Sequence, residues 1–198
     1  MSESGVVKFE CEHVVRKVAP FPRYAELNSC RRKLLQLRMV GVDAGGIGFG
    51  NLSVRDGEST SFYITASGTG ALAHLQLAQV AKVTGYDFAR NWVRCEGAVT
   101  ASSESLTHAA VYESAADARA VIHCHSPKLW QQVLNLVPTT RREVEYGTPE
   151  MAFEMRRLLR ESDSQVFAMG GHPDGLVAFG KSFDEAFHAL MNCAIAQH

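Results

Sequence analysis

The sequence predicts an α/β protein, a layered sheet with helices packed against it. Three observations carry that reading. Segments of helix length and of strand length intermingle along the whole chain instead of being segregated. No repeat, low-complexity tract or Pro/Gly-rich linker divides them, so residues 1–198 read as a single domain, in keeping with 198 residues of which 46% are hydrophobic. Asp56-Gly57 separates two runs of β-branched and aromatic residues, which marks a hairpin.

The elements follow in order. "YAELNSCRRKLLQLRMVG" (24–41) places Leu27, Leu34, Leu35 and Leu37 among basic residues and ends at Gly41, as an amphipathic helix with a C-terminal glycine does. "DAGGIGFGNLSVRDG" (43–57) and "STSFYITASGTG" (59–70) supply the two strands of the hairpin. "ALAHLQLAQVAKV" (71–83) has helical spacing, and "YDFARNWVRCEG" (86–97) reads as one strand. "SSESLTHAAVYES" (102–114) is a helix opening on two serines, followed by the strand "ARAVIHCH" (118–125). "SPKLWQQVLNLV" (126–137) and "TPEMAFEMRRLLRES" (148–162) are helices whose Pro127 and Pro149 occupy first-turn positions, where a missing N–H costs least. Two short strands about a turn, "SQVFAMGGHPDGLVAFG" (164–180), and a last helix, "SFDEAFHALMNCAIAQH" (182–198), complete the chain.

Composition excludes several classes of partner. Twenty Lys plus Arg stand against twenty-one Asp plus Glu, a formal net charge of -1, so no bulk field attracts nucleic acid or an anionic membrane. The N-terminus lacks a basic segment followed by an apolar one, and no uncharged apolar run reaches about 18 residues, so a soluble, cytoplasmic protein is expected. Five scattered cysteines without a C-x-x-C point to reduced, structural thiols.

The chemistry concentrates in a few polar residues. On a strand, positions two apart share a face, so His123 and His125 point the same way while Cys124 points oppositely. Adjacent imidazoles at the end of an apolar strand are half of a metal site, although cupins, carbonic anhydrases and amidohydrolases use H-x-H as well. His172, on the turn between two strands, can complete the three-ligand set that leaves one coordination position open. Glu104, preceded by Ser102 and Ser103, sits where hydroxyls and a positive helix end gather, a seat for an anion with an acid/base beside it. Asn51 and Ser67-Gly68, in glycine-rich settings, can add donors for a phosphate. His108 falls one helical turn after Glu104 and reads as structural or as an orienting partner of a ligand. Arg55, Arg141 and Arg142 can reach an anion, the last two reading better as solvated surface; His13, His74, His188 and His198 have no supporting context.

"GNLSVRDG" (50–57), "YITASGTG" (63–70), "SSESLTHAAVYESAADARAVIHCHS" (102–126) and "GGHPDGLVAFGKSFDEAF" (170–187) together resemble the class II aldolase and adducin family, which includes L-fuculose-1-phosphate aldolase. The resemblance implies a central, mainly antiparallel sheet flanked by helices on both faces, assembled as a homotetramer with sites at subunit interfaces. It implies zinc, or another divalent transition metal, held by His123, His125 and His172, with Glu104 as acid/base. Asn51, Ser67, Gly68, Ser102 and Ser103 match the family's phosphate-binding positions. The implied activity is a lyase acting on a small ketose phosphate, by retro-aldol cleavage through a metal-stabilised enediolate. Alternatives are a methylthioribulose-1-phosphate dehydratase and a non-catalytic adducin-like interaction domain. "GGIGFG" lies before a strand, not between strand and helix, so it is not a nucleotide fingerprint. The third ligand lies in His-Pro-Asp-Gly where the family usually has His-Gly or His-His-Gly, and the sequence ends with its last helix.

Overall fold

The hairpin at Asp56-Gly57 forms the middle of an eight-stranded sheet. The computed structural model describes residues 9–195. In chain order its elements are β1 (Glu10–Val15), α1 (Tyr24–Gln36), β2 (Gly41–Val42), β3 (Gly48–Phe49), β4 (Asn51–Arg55), β5 (Phe62–Thr65), β6 (Val80–Asp87), β7 (Trp92–Gly97), α2 (Ser105–Ser114), β8 (Ala120–His125), α3 (Pro127–Val133), α4 (Pro149–Glu161), β9 (Val166–Ala168), β10 (Gly175–Gly180) and α5 (Phe183–Ile195). The large sheet runs β1-β7-β6-β5-β4-β8-β10-β9, with β1 parallel to β7 and the other pairs antiparallel. A small β2-β3 hairpin stands apart.

Alternation along the strands divides the core in two. Val121 and Val177 face one side, where Leu106, Ala109 and Tyr112 of α2 and Met151 and Met155 of α4 cover them. Ile122, Cys124 and Leu176 face the other, against Leu27 and Leu34 of α1, Leu129 of α3 and Phe183 and Leu190 of α5. This is the three-layer arrangement expected, with helices on both faces. No described helix is long and apolar enough to cross a membrane.

Three local expectations fail, each for a physical reason. Residues 71–83 do not form the expected helix and hold only a 3-10 turn at Leu77–Gln79: Tyr24 Oη and the Asn28 amide donate to the Leu75 carbonyl, and the Leu75 N–H donates to Asn28 Oδ1 at 2.9 Å. The Leu75 main chain is thereby tied to α1, and Val80 and Val83 enter β6 beside β5. The helix read as 24–41 ends at Gln36, because Arg38 turns left-handed (φ 57) and Met39 N–H bonds back to Leu34 O at 2.8 Å. Residues 86–97 are two strand segments about a turn at Asn91 (φ 49), which Asp87 closes by accepting from Arg90 N–H at 3.1 Å. β1 had no counterpart in the reading of the sequence. The last helix is described to Ile195, so residues 196–198 of that reading, including His198, lie outside the described residues.

Glu154 on α4 ties an irregular segment to this frame. Its carboxylate, 5% exposed with its residue, accepts from Arg157 at 2.9 and 3.0 Å and from the Arg141 backbone N–H at 3.1 Å. The hydrogen bonds from Arg157 hold the Glu154 carboxyl below the usual range against the opposing effect of burial. A depressed native pKa contributes stability that is present above the unfolded value and lost as pH falls through the native one. Glu154→Gln should therefore lose about 1–3 kcal/mol of unfolding free energy near neutrality. The difference from wild type should shrink below about pH 4. Urea melts at the two pH values measure this, and equal differences at both would count against the ionised pair.

Candidate metal centre and active site

Strand alternation sets up the centre. β8 turns His123 and His125 towards the α2 side, with Cys124 in the opposite core. Across β8, His123 is in register with Asn51 on β4 and Val177 on β10, and His125 with Gly175. The β9–β10 turn brings in His172. It is closed by Gly175 N–H to His172 O at 2.9 Å and by Asp174 in the left-handed region (φ 66). Gly171 is required here, since a Cβ would lie 1.8 Å from the Val144 carbonyl oxygen. The turn is thus seated against the 140–146 segment that Glu154 anchors through Arg141.

The three rings converge, with centroids 5.0 Å apart for His123–His125, 5.3 Å for His123–His172 and 4.6 Å for His125–His172. One ligand nitrogen from each lies within 4.8 Å of the others. His123 Nδ1–H donates to Leu176 O at 3.1 Å, which leaves its Nε2 as a lone pair, 3.3 Å from His125 Nε2. Burial lowers the His123 pKa to about 4; burial and then the charge of His123 lower that of His125 to about 3. Both rings are neutral at physiological pH, the state that binds metal. Two nitrogens about 2.0–2.1 Å from one tetrahedral ion stand about 3.3–3.4 Å apart. The His123–His125 separation matches that spacing, and His172 completes a set of three imidazoles that could hold a metal ion.

Around the histidines lies a cleft of about 290 Å³. It is lined by Asn51, Ser67, Gly68, Ser102, Ser103, Glu104, His123, His125 and His172, so all the site residues selected from the sequence meet in one place. Glu104 is buried at the start of α2, its Oε2 accepting from Thr107 Oγ1 at 2.7 Å and its N–H donating to Ser102 Oγ at 3.3 Å. Gly68 turns with φ 76, and no atom would contact a Cβ placed there. Behind this loop the buried Arg31 donates to the carbonyls of Thr69 at 2.8 Å, Gly70 at 3.0 Å and Leu72.

Among the described residues, no Lys or Arg lines the cleft. Arg55 is spent behind α2 on the carbonyls of Tyr112 and Ala115. Arg141 pairs with Glu154, and Arg142 is exposed and outside the cleft. His13, His74 and His188 lie elsewhere, bonded to Gly97 O, beside the Tyr24 ring, and bonded to Asp184 O respectively. Sequence reasoning missed Tyr146, which stacks on His172 at 4.2 Å, and the β2-β3 hairpin, whose Gly46, Ile47, Gly48 and Phe49 form one wall. The hairpin left a trace in its glycine spacing; Tyr146, on an irregular segment, left none.

Comparison with known proteins agrees with this fold. The sequence matches the model of the Class II Aldolase and Adducin N-terminal domain over residues 29–196. No curated protein sequence matches the chain. Among solved structures, an L-fuculose 1-phosphate aldolase is similar with a TM-score of 0.68 and 22% identity, over 91% of this chain and 86% of that one. The L-fuculose-1-phosphate aldolase of Thermus thermophilus gives 0.61 and 24%, over 88% and 90%. A sugar-phosphate aldolase of Thermotoga maritima gives 0.66 and 18%, over 88% and 91%. At these identities the likeness is one of fold.

Proposed function

The chain belongs to the class II aldolase and adducin family, and we propose that within it this protein is a divalent-metal lyase that cleaves a small phosphorylated ketose by retro-aldol chemistry. The observation that carries the reading is the convergence of three imidazoles and one buried carboxylate on a single cleft. His123, His125 and His172 would hold the ion, zinc in the first instance. When bound, it would withdraw electrons from the substrate's carbonyl and neighbouring hydroxyl oxygens.

The remaining work falls to the chain's own side chains. In the proposal, Glu104 takes the proton released as the carbon–carbon bond breaks and returns it to the departing fragment. The Thr107 hydroxyl occupies Oε2 and so fixes the carboxylate in one orientation. Asn51, Ser67, Gly68, Ser102 and Ser103 form the phosphate seat through hydroxyl, amide and backbone donors, without a salt bridge. Hydrogen bonds from neutral donors suit a group that must leave as readily as it enters. Residues 1–198 acting as one domain, a cytoplasmic setting and a homotetramer with sites between subunits belong to the same proposal.

The test is to offer the zinc-loaded protein a panel of ketose phosphates and assay triose phosphate release. Cleavage of at least one member that is abolished by chelation and restored by zinc is the expected result. Loss of water from a substrate without carbon–carbon cleavage would replace the aldolase with a dehydratase. Zinc binding without turnover of any member, or no zinc binding, would turn the assignment towards an interaction domain.

A further inference from the structure

Beneath the cleft, between β4 and α2, four buried side chains form a chain of hydrogen bonds that ends on Asn51. Tyr112 Oη lies 2.7 Å from Ser53 Oγ, Ser53 Oγ lies 2.6 Å from His108 Nδ1, and His108 Nε2 lies 2.6 Å from Asn51 Oδ1. Ser53 and His108 are 0% exposed, Tyr112 3% and Asn51 7%. Of the four, only Asn51 lines the cleft. Sequence spacing offers His108 as an orienting partner for a metal ligand; its partners are instead the phosphate-seat asparagine and a serine.

Counting hydrogens fixes the direction of the chain. The Asn51 oxygen can only accept, so His108 Nε2 must carry the proton. Nδ1 is then a lone pair and accepts from the Ser53 hydroxyl, whose oxygen accepts in turn from the Tyr112 hydroxyl. Every donor in the chain then has an acceptor, as burial demands. Burial also keeps His108 neutral by holding its pKa well below the ordinary value.

We propose that His108 is a positioning residue that locks the Asn51 side-chain amide with its oxygen inward and its NH₂ group facing the cleft, so that this wall offers hydrogen-bond donors to a phosphate. The amide of an asparagine can turn over at little cost in the open, and turned over it would present an acceptor to an anion. A seat to which the described residues of this chain bring no Lys or Arg depends on every donor being correctly aimed. The role assigned to His108 rests on the reading of Asn51 as part of a phosphate seat; the tautomer does not.

The first measurement is the tautomer, read from the ¹⁵N shifts of the His108 ring in labelled protein and assigned by comparison with His108→Gln. A protonated Nε2 and a bare Nδ1 are expected, and a protonated Nδ1 would overturn the proposal. The second is binding of inorganic phosphate to the zinc-loaded protein. Asn51→Ala and His108→Leu should each weaken it about tenfold, the effect of one lost oriented hydrogen bond, and the double variant no further. His108→Gln keeps a donor where Nε2 stood and should bind close to wild type. Ser53→Ala, which leaves the cleft lining and most packing intact, should weaken binding part of the way and keeps the test alive if His108→Leu fails to fold. Wild-type affinity in both His108→Leu and Ser53→Ala would sink the positioning role while sparing the seat. No phosphate binding by wild type, or none lost in Asn51→Ala, would sink the seat itself and the inference that depends on it.

Discussion

Replacing His123 by alanine is expected to abolish the divalent-metal binding proposed for the three histidines. In wild type, His123 Nε2 is a prepared lone pair: its Nδ1–H is committed to Leu176 O and its pKa is lowered to about 4, so no proton competes for it near neutrality. Loss of an orienting partner alone costs about 10–100-fold in metal affinity. Loss of the ligand should cost more, and metal-dependent turnover should fall to background. Plasma mass spectrometry on dialysed wild type and variant measures the effect, with thermal melts to confirm folding. Cys124→Ala is the matched control. It alters the next residue on the same strand, but its side chain lies in the opposite core, so it should lower stability and leave metal content unchanged. Equal metal in wild type and His123→Ala would remove the centre from the account.

That pair of variants also shows why the centre was legible in the sequence. A strand allows two orientations for a side chain, so identifying 118–125 as a strand already placed His123 and His125 together and Cys124 opposite. Glu104 was legible because it lies one helix away from the strand and the chain has little freedom between them. Elsewhere local pattern was outweighed by distant partners. Leu72, Leu75 and Val80 have helical spacing, but Asn28 and Tyr24, far away in sequence, take up the Leu75 backbone groups that a helix would use. β1 pairs in parallel with β7, a partner far along the chain, and its half-buried Glu-Cys-Glu-His pattern carries little hydrophobic signal. His108 shows the boundary most clearly. Its helical spacing put it on the face of Glu104, yet only the β4–α2 packing reveals that its ring reaches Asn51 and Ser53.

Glu104→Gln separates proton transfer from everything else in the cleft. Glutamine has almost the same shape, keeps an oxygen that can accept from Thr107 Oγ1, and leaves the Glu104 N–H to Ser102 Oγ contact untouched, since that contact uses the main chain. What it loses is the ability to take and return a proton. If Glu104 is the acid/base, kcat should fall by about 10²–10⁴, the usual contribution of a positioned proton-transfer group. Metal content and phosphate affinity should stay at wild-type values, because neither depends on the carboxylate. A structural role would give a different pattern. Glu104 is 2% exposed, so a substitution that disturbed the start of α2 would shift Ser102 and Ser103 with it and weaken phosphate binding along with turnover. The informative comparison is therefore the ratio of the two losses. A fall in kcat alone assigns the proton to Glu104; parallel losses in kcat and phosphate affinity would assign it to the scaffold and leave the base to be sought among the other lining groups, with Tyr146 beside His172 the first to substitute.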